Sequence, residues 1–396
     1  MRDRHRLVVI SALGIVQILA WGSSFYLLAV LGQPIATDTG WPLAWIIGGL
    51  SVGLLVAGLV SPRVGSYIGR NGGRSVLALA TVLLAAGLVI LALAPTLPTF
   101  VAGWLVLGLG MGTGLYDPAF ATLGRLYGAE ARPAITTLTL WGGFASTVSW
   151  PLSAFLLERV GWRGTCLAYA GLHLAVTLPL VLALIPKAAA LPTGSASGPI
   201  RTAPLDARER RAFLLMAGVL TLGGTVMAPV SVHLITLLQA RGVALGSAVA
   251  YGALIGPAQV GARVIEMAGG GRHHPLWTLT AAMLLVALGI VMLALRVPVV
   301  GLALVLYGAG NGIYSIARGT VPLALFGPTR YAPLVGRLAR PGLVAQALAP
   351  SLGAVLLTHG GPDAAYGLLA ALALANVGLA LALWRVREPT VAAPAA

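Results

Sequence analysis

Twelve stretches of this chain are each long and apolar enough to cross a bilayer, and that pattern restricts the possible folds more than any other feature of the sequence. A helix through the hydrocarbon needs about 20 mostly apolar residues. Such stretches cover residues 7–31, 43–61, 75–94, 99–123, 134–157 and 165–185. After a polar interval they resume at 212–237, 247–267, 276–295, 297–326, 342–358 and 364–384. Short segments bearing Gly, Pro and charge join them, as turns at the two interfaces would. None alternates in polarity over about ten residues, as the strands of a membrane barrel do. The expected fold class is an all-α polytopic membrane protein. Of the 396 residues, 58% are hydrophobic and only 9% charged, against roughly 25% charged in a soluble domain. That is too little polar surface to cover a soluble globule, so a water-soluble enzyme or binding module is excluded. A single cysteine, Cys166, and six His leave no disulfide scaffold and no multi-cysteine metal site, and no cofactor is expected.

The basic residues set the orientation. With both termini in the cytoplasm, 20 of the 25 Lys and Arg fall on the cytoplasmic side, while Arg159, Arg163, Arg241 and Arg296 fall on the other and Arg318 lies within a span. This asymmetry is the positive-inside pattern, expected of a multi-pass protein in the cytoplasmic (inner) membrane. It explains the net charge of +15 through anionic headgroups rather than nucleic acid. The expected partners are therefore the lipid bilayer and a small-molecule solute, and the chain is read as a monomer. The polar interval contains the run PTGSASGP at 192–199, a flexible composition that forms no core. It divides the chain into an N-terminal six-helix bundle (1–187), a cytoplasmic linker (188–210) and a C-terminal six-helix bundle (211–396).

The two bundles repeat each other at an offset of 200 residues. Gly108-x-Gly110-x-Gly112 in the fourth span recurs as Gly308-x-Gly310-x-Gly312 in the tenth, and Ala154-x-Leu156-Leu157 recurs as Ala354-x-Leu356-Leu357. Two parallel six-helix repeats about an axis along the membrane normal are one of the transporter architectures. Between the second and third spans, residues 65–74 read GSYIGRNGGR, and Gly161-Trp162-Arg163 opens the sixth. On these features the chain resembles the major facilitator superfamily of secondary transporters. The family's signature between helices two and three is a Gly, then Asp-Arg, then Gly-Arg-Arg. Gly65, Arg70, Gly72 and Arg74 match it, and Gly69 stands where the family has Asp. The resemblance implies two pseudo-symmetric bundles, alternating access around a site between them, and gating by Gly65, Arg70, Gly72 and Arg74. The family's aspartate latches the cytoplasmic gate, and Gly69 leaves that latch without its carboxylate.

An ionisable side chain in hydrocarbon costs several kcal/mol, so each one marks a function or a partner. Asp117 in the fourth span and Arg318 in the tenth lie one residue apart in the repeat. Asp117 is the candidate proton carrier. Arg318, a fixed fork of donors, is the candidate receptor for an anionic group. An ion pair that merely ties two helices is the alternative for both. Tyr307, Asn311, Tyr314 and Arg318 are spaced 4, 3 and 4 residues apart and share one helix face, the expected lining of a solute cavity. Gln17, Trp21, Trp141, Gln259 and Gln346 join them at similar depth, with interhelical bonding as their other possible role. Arg263 and Glu266, three apart near the end of the eighth span, can pair with each other and are read as a gating element. The expected function is a secondary active transporter moving a small polar or anionic solute by alternating access, with proton coupling. Proton-driven efflux of a drug or toxic compound is the alternative. A membrane enzyme would need convergent catalytic groups at depth, and one deep Asp with scattered His does not supply them.

Overall fold

A straight helix of 88 residues would measure roughly 130 Å, about four times the thickness of the hydrocarbon, so the helical run Leu97–Leu184 has to fold back on itself. The computed structural model, which describes residues 2–187 and 204–386, turns it at Gly128–Glu130 and at Gly161. The run Val300–Trp384 turns likewise at Gly327 and Gly361. Gly161 (φ 69°, ψ 178°) and Gly361 (φ 75°, ψ 177°) hold a backbone that side chains with a Cβ rarely adopt, so the helix reverses there with almost no loop. The described residues thereby form twelve spans. They are α1 (His5–Thr39), α2 (Leu43–Asn71), α3 (Arg74–Leu93), α4 (97–127), α5 (131–160) and α6 (162–184) in the first bundle. In the second they are α7 (Ala207–Gln239), α8 (Leu245–Ala268), α9 (Pro275–Ala294), α10 (300–326), α11 (328–360) and α12 (362–384). Most of the expected linker, 188–203, lies outside the described residues.

Lipid is as apolar as leucine, so helices in a membrane associate through close backbone packing rather than through hydrophobic burial. The repeated glycines do this in both bundles. A Cβ on Gly108 would stand 2.6 Å from the Gly53 carbonyl oxygen, and one on Gly112 2.9 Å from the Ala57 Cα, both on α2; one on Gly110 would meet Leu84 of α3 at 2.9 Å. In the other bundle Gly308 and Gly312 press in the same way on Ile255 and Gln259 of α8, and Gly310 on Ala282 and Val286 of α9. The 200-residue offset is thus an offset of packing as well as of letters. Leu79, Leu105, Leu288 and Leu381 stay exposed on the outside, as a lipid-facing surface requires.

One end of the molecule carries Arg6, Arg74, Arg132 and Arg330, and is called here the basic end. Asp206 caps α7 with a reciprocal Glu209 capping box, and Glu209 then receives both bonds of Arg330 at 2.8 and 2.6 Å. At the opposite end each bundle is tied by a clamp of its own. Asp38 in the last turn of α1 accepts from Trp162 Nε1 at 2.8 Å and faces Arg163, which also donates to the Ala92 and Ala94 carbonyls. In the second bundle Asp363 takes Arg241 at 2.7 Å and Arg296 at 2.6 Å, and Arg241 donates to the Leu293 carbonyl.

The bundles meet along a seam towards the basic end. Gly65 of α2 and Gly336 of α11 touch backbone to backbone, and Ser61 Oγ donates to the Gly336 carbonyl at 2.9 Å. Gly124 of α4 lies under the Tyr331 ring, and Gly319 of α10 lies against Phe120 and Ile135.

Candidate functional site

Helix α4, expected to run unbroken through 99–123, opens at Leu115 (φ −78°, ψ −161°), and a new segment, Tyr116–Tyr127, starts one residue later. Gln17 secures the break: its Nε2 donates to the freed Gly114 carbonyl at 2.7 Å, and its Oε1 accepts from Trp21 Nε1 at 3.2 Å. Asp117 falls in the first turn of the new segment, where the helix dipole and unpaired N–H groups favour an anion. Pro118, lacking an N–H, sits where none is needed. From the other bundle Arg318 meets Asp117 with two donors, Nε to Oδ1 at 3.0 Å and Nη2 to Oδ2. The two side chains are only 20% and 11% exposed. Removing one partner of such a pair costs about 3–5 kcal/mol, because the other charge is left buried alone. The pair borders a void of about 20 Å³ between Trp21, Ser61, Tyr116, Leu343 and Gln346, room for roughly one water.

Arg263 is a second buried cation at the seam. It is 6% exposed, its Nε donates to the Gly312 carbonyl at 3.1 Å, and its Nη1 has no hydrogen-bond partner. A Cβ on Gly143 would stand 2.1 Å from Nη1, so only a glycine there lets α5 cover the guanidinium. The pairing expected between Arg263 and Glu266 is not made. Glu266 Oε1 instead accepts from Thr278 Oγ1 at 2.7 Å and lies 3.1 Å from His273 Nε2. Three residues apart on α8, the two side chains turn to different neighbours, one to the seam and the other to α9.

The remaining expected residues divide between the seam and the bundle interiors. Tyr307 is buried against α7, its hydroxyl 3.5 Å from the Met227 carbonyl, and the Tyr314 hydroxyl packs over Gly223 of α7. The stripe on α10 therefore faces its own bundle over most of its length and crosses the seam only at Arg318. Asn311 is half-buried, and so is Gln259, whose backbone carries Gly312. Trp141 packs over Gly14 of α1. Among the expected gating residues, Gly65 makes the contact with α11. Gly72 ends α2 at φ 82°, Arg74 donates to the Leu182 carbonyl, and Arg70 is exposed. Gly69 accommodates the Pro333 ring, which would lie 3.1 Å from a Cβ at that position.

Two elements of the seam carry no signal in the sequence. Arg132 of α5 reaches across to the Gly271 and His273 carbonyls at 2.9 and 2.6 Å. A row of rings, Trp150–Tyr26–Trp21–Tyr116, with centroids 6.2, 6.1 and 5.1 Å apart, runs along the first bundle to the turn that holds Asp117.

Similarity to known proteins is consistent with this arrangement. Monocarboxylate transporter 11 of the mouse is 30% identical over 328 residues, covering 81% of this chain and 65% of that protein, so the chain spans just under two thirds of the relative's length. The fucose:proton symporter FucP of E. coli, in its outward conformation, superposes with a TM-score of 0.74 at 15% identity over 98% of this chain and 100% of that one. The human organic anion transporter MFSD10 (TETRAN) does so with a TM-score of 0.73 at 17% identity, over 95% and 99%. At such identities the two structures speak for the fold alone. A family model described as Major Facilitator Superfamily matches residues 13–332, and the chain belongs to that superfamily of membrane transporters.

Proposed function

We propose that this transporter carries a small organic anion, foremost a carboxylate, by alternating access. In this reading it sits in the cytoplasmic membrane with the basic end and both termini inside, which the distribution of 20 of 25 Lys and Arg supports. The observation that carries the substrate class is Arg263 Nη1, a buried guanidinium nitrogen without an acceptor. A cation left unpaired in the interior is costly, and an oxyanion entering the seam offsets that cost with a charge-assisted hydrogen bond. Gly143 covers this nitrogen in the closed arrangement, and rocking of α5 away from α8 uncovers it. Arg318, the anion receptor expected from the sequence, has two of its donors held by Asp117, so it serves this reading as a coupling element. A proton on Asp117 removes its charge, frees the donors of Arg318 and loosens the tie between the bundles. The names of a monocarboxylate transporter, an organic anion transporter and a proton symporter among the similar proteins support both halves of the reading.

Counterflow by the purified protein in liposomes tests it. Labelled lactate, acetate and phenylacetate should exchange for their unlabelled forms, and uptake should rise with an inward proton gradient. Arg263→Gln should slow exchange at least tenfold, in line with the loss of a charge-assisted bond, at an unchanged melting temperature. Exchange unaffected by Arg263→Gln would end the anion reading while leaving a carrier of another solute.

A further inference from the structure

Between α1 and α5, at the end of the bundle away from the basic end, lies a groove of about 500 Å³ lined by Ala29, Val30, Thr147, Trp150, Pro151 and Ala154. We infer that this groove receives the apolar body of the transported anion, so that the carrier favours aryl- or branched-chain carboxylates over acids of two or three carbons. The inference rests on the anion reading of Arg263 and adds what the rest of the solute must be.

The face of α5 gives the direction. Thr147, Trp150, Pro151 and Ala154 follow at intervals that return to one side of a helix, and Gly143 precedes them by four residues across a break at Phe144. Gly143, at the base of that face, is covered by Arg263 of the other bundle. The face therefore looks across the seam, and the guanidinium lies about 6 Å, one helical turn, below Thr147 along the axis. A carboxylate on Arg263 would point its substituent up into the groove. No charged side chain is among the groove's lining residues. Trp150, 48% exposed, stands edge-on to Tyr26, and these rings offer the walls that an aromatic body uses. The volume suits a ligand with a ring or branched chain, whereas acetate or lactate would leave most of it unfilled.

Counterflow with a series of acids decides this. Phenylacetate and indole-3-acetate should half-saturate exchange at concentrations about tenfold below those of acetate and lactate. Ala154→Trp, which fills the groove, should abolish that preference and leave exchange of the short acids within twofold. Trp150→Leu, a milder change, should weaken the aryl acids about fivefold and the short ones not at all. Equal half-saturation by aryl and short acids in the wild-type protein would overturn the inference. So would an unchanged preference in both variants, the result expected if a lipid chain occupies the groove. In either case dependence of short-acid exchange on Arg263 would keep the anion reading intact; loss of that dependence, or no exchange of any acid, would remove both.

Discussion

The two sides of the seam at the basic end close by different chemistry. Between α2 and α11 the contact is made by shape. Gly65 and Gly336 press backbone on backbone, Gly69 makes room for Pro333, and the only polar tie between the helices on this side is the one from Ser61 to a carbonyl among the described residues. Between α5 and the turn after α8 the contact is made by reach. Arg132 extends to two carbonyls of the other bundle, and that turn is braced from below by Glu266, Thr278 and His273. A contact made by shape tolerates no added atom, because packed backbones cannot yield. A contact made by a long side chain tolerates small shifts but depends on its charge. The position where the superfamily has an aspartate belongs to the first kind here, so its missing carboxylate is replaced by a fit rather than by another charge.

The largest effect should come from violating the fit. A Cβ on Gly336 would stand 2.3 Å from the Ser61 carbonyl oxygen, and Gly336→Leu should oppose closure by roughly 2–3 kcal/mol, on the order of 100-fold. A cysteine placed in α11 at the seam would then become reactive from the basic end. Cys166 is buried and should contribute little background. Next in size is Arg132→Ala, which removes two bonds to carbonyls and should shift the same labelling by about tenfold. Arg132→Lys, without the planar fork, should recover only part of it. Gly69→Asp sharpens the comparison most directly. Were a charged latch wanted here, transport would improve; against the Pro333 ring at 3.1 Å it should instead fall a few-fold. The smallest change is expected of Glu266→Gln, which keeps the acceptor for Thr278 and should alter exchange less than threefold. Raising salt from 0.1 to 0.5 M should narrow the difference between wild type and Arg132→Ala while leaving Gly336→Leu unmoved.

Much of this molecule can be read from its letters because hydrocarbon is a demanding solvent. The spans follow from apolar length, and the glycine triplets at 108–112 and 308–312 predict their own matching roles because close approach needs the same residue in each bundle. The site is less legible. The break at Leu115 follows four alternating glycines, all of which pack closely on neighbouring helices, and its one local signal is Asp117-Pro118, a pair suited to the first turn of a new helix. Arg263 and Glu266 have the spacing of a pair, yet the partners they take, Gly312 and Thr278, come from helices 49 and 12 residues further along the chain. Tyr307 and Arg318 share a face of α10, but that face meets α7 at one level and the opposite bundle at another. Spacing fixes which side of a helix a residue is on, and only the tilt of the helix decides what it meets.

The clamps at the far end take corresponding places in the two bundles with the charges exchanged. Residue 163 is Arg and its counterpart 363 is Asp; their partners at the close of α1 and α7 are Asp38 and Arg241. What the two bundles share there is a place for an ionic buckle and not its polarity. Because each buckle fastens helices of a single bundle, the proposed alternation would need neither to be undone, and each half would swing as one stiff piece, with the motion concentrated where the pieces meet.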